Sequence, residues 1–449
     1  MKWFAPVAAI GAFLIGTSAP LALAAPDGRS KIWFADGVES EGIIVKYRPG
    51  STVDLPRDLG LTVQRQLANN RVLVGTQPER LSGGELRRLM VELAADPDVE
   101  LVEPNVVIPA PDPTAATNDT AQEPVPWNLQ MISAPGAWDS GASGDGITVA
   151  VIDTGITDHP DLTDQTVAGY DFLTDVTRAN DGDGRDADAH DAGDWMERGA
   201  CGNAPDGSPI PPRDIPSSWH GTHVAGIVAM VAPKSRLLPV RILGRCGGVS
   251  ADTADAIVWA AGGAVPDVPP NATPARVLNM SFGDRSMCPP AIRDALQTAH
   301  QYGAVSIAAA GNDNADAANY WLTNCAAPRM SVAALDRSGS RAAYSNYGMS
   351  VDIAAPGSEI MSTYNSGKTH PAEPTHAELS GTSMAAPHVA GVAALVFGVA
   401  NGLGPKDVDA TLRQTARPIP GTGCAIFVQA CGRGLVDAAA AVGASASPQ

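Results

Sequence analysis

An α/β fold, with a parallel sheet covered by helices on both faces and a small α+β unit ahead of it, is expected from three features of the chain. From Gly146 onward, strand-like apolar runs alternate with helical periods, which is the pattern of βαβ units. The first of these runs, Ile147–Ile152 (I-T-V-A-V-I), reads as an apolar strand of the kind that is buried on both faces. Before them, Pro109–Pro126 lacks apolar periodicity and is rich in Pro, Thr and Asp, so it reads as an extended linker between two folded units. A length of 449 residues is long for one domain and agrees with two.

Composition narrows the classes further. With 44% hydrophobic and 17% charged residues the chain is globular, and a formal charge of −18 argues against nucleic acid, whose binding needs clustered Lys and Arg. Met1–Ala24 has an early Lys2, an apolar run from Val7 to Ile15 and an Ala22-Leu23-Ala24 end. That is the form of a removable export signal (1–24), with cleavage expected after Ala24. The run is too short for a comfortable membrane span, and no later stretch is long enough either. A secreted protein without a membrane anchor is therefore expected.

Taken in order, Ala25–Ser40 carries little signal. Gly42–Tyr47 and Arg71–Gly75 read as strands; Leu86, Leu89, Met90 and Leu93 recur at helix spacing; Val99–Val102 and Val106–Ile108 return to strand composition. Residues 25–108 thus form the α+β unit, 109–124 the linker and 125–449 the larger domain. Within that domain Gly221–Met230 is helical, Arg236–Leu243 a strand, Asp252–Ala261 a helix and Arg276–Met280 a strand. Ala291–Tyr302 is helical, Val305–Ala309 a strand and Ala385–Val399 a long helix. In such a sheet the site lies at the carboxyl ends of the strands. The chain runs only a short way past Gly434-Leu435-Val436-Asp437, so no further targeting domain is expected.

Three polar residues stand at those ends. Asp153 closes the first apolar strand, His220 opens H-G-T-H-V-A-G, and Ser383 sits in G-T-S-M-A-A-P-H-V-A-G at the start of the last long helix. Singly, each has a plain explanation as a turn, surface or capping residue. Jointly they are a nucleophile, a general base and the carboxylate that fixes the tautomer of the base. A helix N-terminus suits the nucleophile, because its unpaired N–H groups favour developing negative charge. No H-E-x-x-H is present, and Gly381-Thr382-Ser383-Met384-Ala385 lacks the second Gly of an esterase elbow.

These three segments, in the order Asp, His, Ser, resemble the signatures of the subtilisin-like serine proteases, over roughly Val125–Ala441. The resemblance implies a secreted serine endopeptidase acting on protein or peptide substrates, with Ser383, His220 and Asp153 as its triad; a catalytically silent binding protein on the same fold is the alternative. It implies packing roles for His223 and His388. A-A-A-G-N at Ala308–Asn312 resembles the oxyanion segment, with Asn312 as donor, and Ser281-Phe282-Gly283, with Gly311, resembles the substrate-binding segments. The insertion Asn314–Asn324 is expected to border that pocket. The small N-terminal unit would be the propeptide, an intramolecular inhibitor that also assists folding, released by cleavage in the linker. A monomer is expected.

The six cysteines all lie in the second half of the chain. Their even number in an exported protein favours disulfides, although six allow fifteen pairings and spacing alone singles out only Cys424 with Cys431. G-R-C-G-G at Gly244–Gly248 and the acidic loop before His220 resemble the disulfide-containing branch from Gram-negative bacteria, which implies Cys201–Cys246, Cys288–Cys325 and Cys424–Cys431. That loop holds Asp181, Asp183, Asp186, Asp188, Asp191 and Asp194, a density of hard oxygen ligands that suggests structural calcium. Glu123 and Asp161 match positions of a tight calcium site in many relatives, but Met230 runs almost directly into Val231-Ala232-Pro233, without the loop that supplies most of its ligands. That site is not expected here.

Overall fold

The computed structural model describes residues 31–34, 39–53, 55–56, 59–75, 83–111, 125–204, 207–424 and 430–446. The expected export signal, most of the linker and Glu123 lie outside the described residues. The N-terminal unit is built from β1 (Ser40–Tyr47), β2 (Thr62–Leu67), β3 (Arg71–Gly75), α1 (Gly83–Ala94) and β4 (Val99–Ile108). Its strands run antiparallel in the order β2-β3-β1-β4. Ile43, Val45, Val72 and Val74 face α1, while Ile44, Leu73 and Ile108 face the larger domain. This two-sided burial explains why β1 and β3 are apolar without alternation. The sequence reading misses β2 because T-V-Q-R-Q-L is an edge strand, mostly exposed. It also splits β4 at Glu103-Pro104-Asn105, three residues whose polar or ring character suggests a break but which are buried against the larger domain.

The larger domain begins with α2 (Trp127–Met131) and α3 (Ala134–Asp139), followed by β5 (Thr148–Asp153), β6 (Tyr170–Asp171), α4 (Val176–Ala179) and α5 (His220–Val231). Then come β7 (Arg236–Arg241), β8 (Gly248–Val249), α6 (Ser250–Ala260), β9 (Val277–Met280), α7 (Pro290–Gln301) and β10 (Val305–Ala309). The chain continues through β11 (Met330–Leu335), β12 (Ile353–Pro356), the hairpin of β13 (Ile360–Asn365) and β14 (Pro374–Leu379), α8 (Thr382–Val399), α9 (Pro405–Thr415) and α10 (Ala438–Ala446).

Seven strands make one parallel sheet in the order β12-β11-β10-β9-β5-β7-β6. Successive residues of β5 alternate between two cores: Val149 and Val151 join the side of α5 and α8, Ala150 and Ile152 the side of α6 and α7. The strand is apolar because water reaches neither face. β7 and β9 flank β5 on opposite sides, so the strand order reverses there and the crevice beyond its carboxyl end is open to a ligand. Asp153 is the last residue of β5. Helix α8 is the one described helix long and apolar enough to cross a membrane by composition, and it lies buried inside the protein.

Disulfides join Cys201 to Cys246, Cys288 to Cys325 and Cys424 to Cys431. The first two close loops of 45 and 37 residues; by loop entropy each restrains the unfolded chain by about 4 kcal/mol, against about 2 for the third.

The N-terminal unit docks on α6 and α7. Strand β4 pairs with β8 through Val107 and Ile108. Asn105 accepts the backbone N–H of Ala251 at the start of α6 (2.9 Å), and Glu103 accepts that of Ala291 at the start of α7 (3.0 Å). Both side chains satisfy N–H groups that a helix cannot pair by itself. Arg65 with Asp252, and Arg71 with Asp294, bridge the two units.

Candidate active site

Asp153 is fully buried and accepts three hydrogen bonds: from its neighbour's N–H, Thr154 (2.8 Å), and from Nδ1 of His220, 2.8 and 3.0 Å from its two oxygens. A carboxylate on Nδ1 assigns the proton to that nitrogen and leaves the lone pair on Nε2. His220 starts α5 immediately after Trp219, a buried residue held at φ 47°, an uncommon conformation for a non-glycine residue. The Trp219 indole N–H donates to the carbonyl of Gly367 at 2.6 Å, which anchors the turn that presents the imidazole. At Gly221 a Cβ would stand 2.2 Å from the carbonyl oxygen of Gly155, so only glycine lets α5 approach the end of β5 this closely.

Ser383 is the second residue of α8, where its N–H has no intrahelical acceptor. Pro387, inside the same helix, has no N–H to give to the carbonyl four residues earlier. That carbonyl belongs to Ser383, and it is satisfied instead by the hydroxyl of Ser281 (2.8 Å), while the Ser383 hydroxyl donates to the carbonyl of Ser281 (3.0 Å). The serine therefore sits clamped to the segment after β9. Asn312 Oδ1 accepts both the N–H of Thr382 (2.8 Å) and its hydroxyl (2.9 Å), which turns the amide Nδ2 away from Thr382 as a free donor. Thr382 is a positioning residue that the sequence reading overlooks, although it lies within the quoted motif.

A cleft of about 560 Å³ holds His220, Asn312 and Ser383 together with Ser281, Phe282, Gly283 and Gly311. Gly311 has φ +100°, and a Cβ there would fall 2.3 Å from the Asn346 amide. Tyr320 and Trp321, from the insertion, also line the cleft, and so do Pro109, Ala110 and Pro111 at the end of the N-terminal unit. His223 and His388 lie outside it: each is buried, bonded to backbone carbonyls and held well below the usual imidazole range by burial, to about 3 and about 4.

The acidic loop needs a correction. Among the described residues, no three of its six aspartates bring carboxylate oxygens within 4.8 Å of one another, so they do not form one ligand set. Asp181 pairs with the buried Arg241. Asp191 and Asp194 are buried: the first accepts from the Thr154 hydroxyl (2.7 Å), the second from the N–H (2.6 Å) and hydroxyl (2.7 Å) of Ser218. They hold Thr154 and Ser218, which neighbour Asp153 and His220, rather than a surface cation, and the density of acid in the sequence conceals that difference. Asp183 and Asp188 remain toward solvent, and Asp186 is half-buried. The Asp186 carboxyl is pushed up, first by partial burial and then by the charges of Asp183, Asp188 and Asp181, the condition a divalent cation would relieve.

Burial alone would lower the basicity of His220, but Asp153, then Asp194 and Asp191, outweigh it and hold the imidazole above its usual range. A histidine serving as general base works only when neutral, so any activity that depends on His220 would be lost as pH falls through this raised value. Replacing Asp194 by Asn removes one of the charges that favour the imidazolium. The acid limb of the kcat/KM profile is then expected to move to lower pH, with the alkaline plateau within a few-fold of the parent; a limb that stays in place refutes the coupling.

The family model described as the subtilase family matches residues 144–440. An extracellular protease of Xanthomonas campestris is 45% identical over 402 residues, which is 86% of this chain and 66% of that protein. An extracellular basic protease of Dichelobacter nodosus is 39% identical, over 82% of this chain and 62% of its own length. The chain thus spans a little under two thirds of the length of both. A solved structure of a protease from Pseudoalteromonas arctica superposes with a TM-score of 0.66 at 44% identity, covering 70% of this chain and 94% of that one.

Proposed function

The chain belongs to the subtilase family, and from that membership we propose that it is a secreted serine endopeptidase, made as a precursor, that cleaves extracellular proteins or peptides. The observation that carries this reading is the buried Asp153–His220 contact of 2.8 Å in the same cleft as Ser383 and Asn312. In the reaction the Ser383 hydroxyl turns from the Ser281 carbonyl toward His220 Nε2, gives up its proton there and attacks the substrate carbonyl. Asp153 keeps the imidazole in the right tautomer and stabilises the imidazolium. The Asn312 amide and the Ser383 N–H receive the oxyanion. His220 then protonates the departing amine, and a water molecule, deprotonated by the same nitrogen, releases the acyl group. Ser281, Phe282 and Gly283 would pair with the extended substrate backbone.

Residues 25–108 would act as the propeptide, with maturation in 109–124. The passage of Pro109–Pro111 into the Ser383 cleft supports this, as does the pairing of β4 with β8. The experiment joins both parts: the protein is purified from the culture medium, assayed on casein with and without a serine-directed inhibitor, and sequenced from its N-terminus. Inhibitor-sensitive hydrolysis by a chain that begins between 109 and 125 is expected. An active enzyme beginning at Ala25 overturns the propeptide assignment, and inhibitor-resistant hydrolysis overturns the catalytic one.

The subtilase family commonly binds calcium. Asp183, Asp186 and Asp188 do not converge on one point, so a calcium held by this stretch would have to draw their side chains together on binding. A chelator is expected to lower the melting temperature by on the order of 5 °C, the loss of a well-filled site, and added calcium to restore it. No change on chelation removes calcium from the description.

A further inference from the structure

A second cleft, distinct from the one that holds Ser383 and also of about 560 Å³, is lined by Asp161, His376, Glu359 and Glu378 among others. Asp161 and His376 in its wall, with the buried His159 behind them, each have one ligand atom within 4.8 Å of the others. His159 and Asp161 come from the loop after β5, and His376 from β14. The Asp161 carboxylate oxygen lies 2.9 Å from Nε2 of His376 and 3.9 Å from Nδ1 of His159. The two rings meet edge to face, with centroids 5.1 Å apart.

An ordinary surface ion pair needs one histidine and one carboxylate. Here a second imidazole is present, and it is buried and already oriented. His159 Nε2 donates to the backbone carbonyl of Thr375 at 3.1 Å, which leaves the lone pair on Nδ1, the nitrogen facing Asp161 and His376. Fixing the far N–H of an imidazole on a carbonyl is how proteins aim a histidine at a metal. The partner that His159 Nδ1 has in the protein is the N–H of Asp161 at 3.2 Å, a long contact that an ion could replace. Glu378, two residues beyond His376 and so on the same face of β14, lines the same cleft and offers a further oxygen.

We propose that His159, Asp161 and His376 form a binding site for a divalent transition metal of the zinc type, open to solvent at its remaining coordination position. Two imidazole nitrogens and a carboxylate suit zinc, whereas calcium takes oxygen ligands and more of them. The ion would tie the loop that follows Asp153 to the strand that leads into Ser383. It would therefore cross-link two of the segments that carry the catalytic groups. The site does not depend on the proposed peptidase activity and can be tested without it.

The full chain carrying Ser383→Ala, which prevents self-digestion, is stripped with a chelator and titrated with zinc by calorimetry and with cobalt by visible absorption. One equivalent is expected to bind with a Kd of about 10 μM or tighter, with a rise of a few °C in the melting temperature at saturation and cobalt bands of a low-coordinate nitrogen–oxygen site. His376→Ala and Asp161→Asn should each weaken zinc at least about tenfold. His370→Ala, at an exposed histidine elsewhere, should leave it unchanged. His376 is itself partly exposed, and unaltered circular dichroism of its variant shows that the fold persists. Zinc binding weaker than about 1 mM, an affinity unmoved by His376→Ala, or displacement by an equal concentration of calcium each overturns the site.

Discussion

Ser383→Ala is expected to lower kcat on casein by on the order of 10⁶, about 8 kcal/mol of transition-state stabilisation, while leaving the fold intact. The side chain makes one hydrogen bond, to the Ser281 carbonyl, and its helix is held by Val389, Val392, Leu395 and other core residues that the change does not touch. Only the attacking oxygen is lost. The donors around the oxyanion remain, so a residue of catalysis over water should survive. The same variant should accumulate as a precursor retaining the N-terminal unit, because Pro109–Pro111 already lie in the cleft where cleavage must begin. Gel mobility and an N-terminus read from the purified variant check this. Casein hydrolysis equal to that of the parent would refute the nucleophile.

Asn312→Ala is expected to cost roughly 10² to 10³ in kcat with little change in KM, since the amide meets the oxyanion only as charge develops in the transition state. Asn312 Oδ1 is held by two donors of Thr382, so the amide is oriented before substrate arrives. Asn312→Asp keeps that acceptor but removes the donor and adds repulsion, and should be at least as impaired. Steady-state kinetics with a peptide anilide separate the two constants. A loss below about threefold in both variants would remove Asn312 from the mechanism.

Much of this could be read from residues alone. Each strand of the parallel sheet that was expected, from Ile147 to Ala309, appears within a few residues of its boundaries, because burial on both faces leaves an apolar signature that little else produces. Helices α5 and α8 are expected from Gly221 and Ala385 but begin at His220 and Thr382. The first residue of each is held through a tertiary contact, Asp153 on His220 for one and Asn312 on Thr382 for the other. Strands β11, β12 and the β13–β14 hairpin gave no comparable signal, since short runs rich in Ala, Ser and Thr such as M-S-V-A-A-L and I-M-S-T-Y-N are strands only because a sheet edge or a partner strand receives them.

The fold class and the chemical types gathered at the strand ends are legible in the residues alone, because both depend on patterns a linear chain carries: periodicity, and motifs whose glycines and small residues admit one close packing. The linear order could not decide what each carboxylate in the acidic loop does. Six aspartates look alike in a row, yet Asp181 faces an arginine, Asp191 and Asp194 are buried against Thr154 and Ser218, Asp186 is half-buried, and Asp183 and Asp188 face water. Nor could it bring His376 to Asp161 across 215 residues. Those outcomes depend on which groups lose water and which meet across the chain, and they are settled only when the chain is folded.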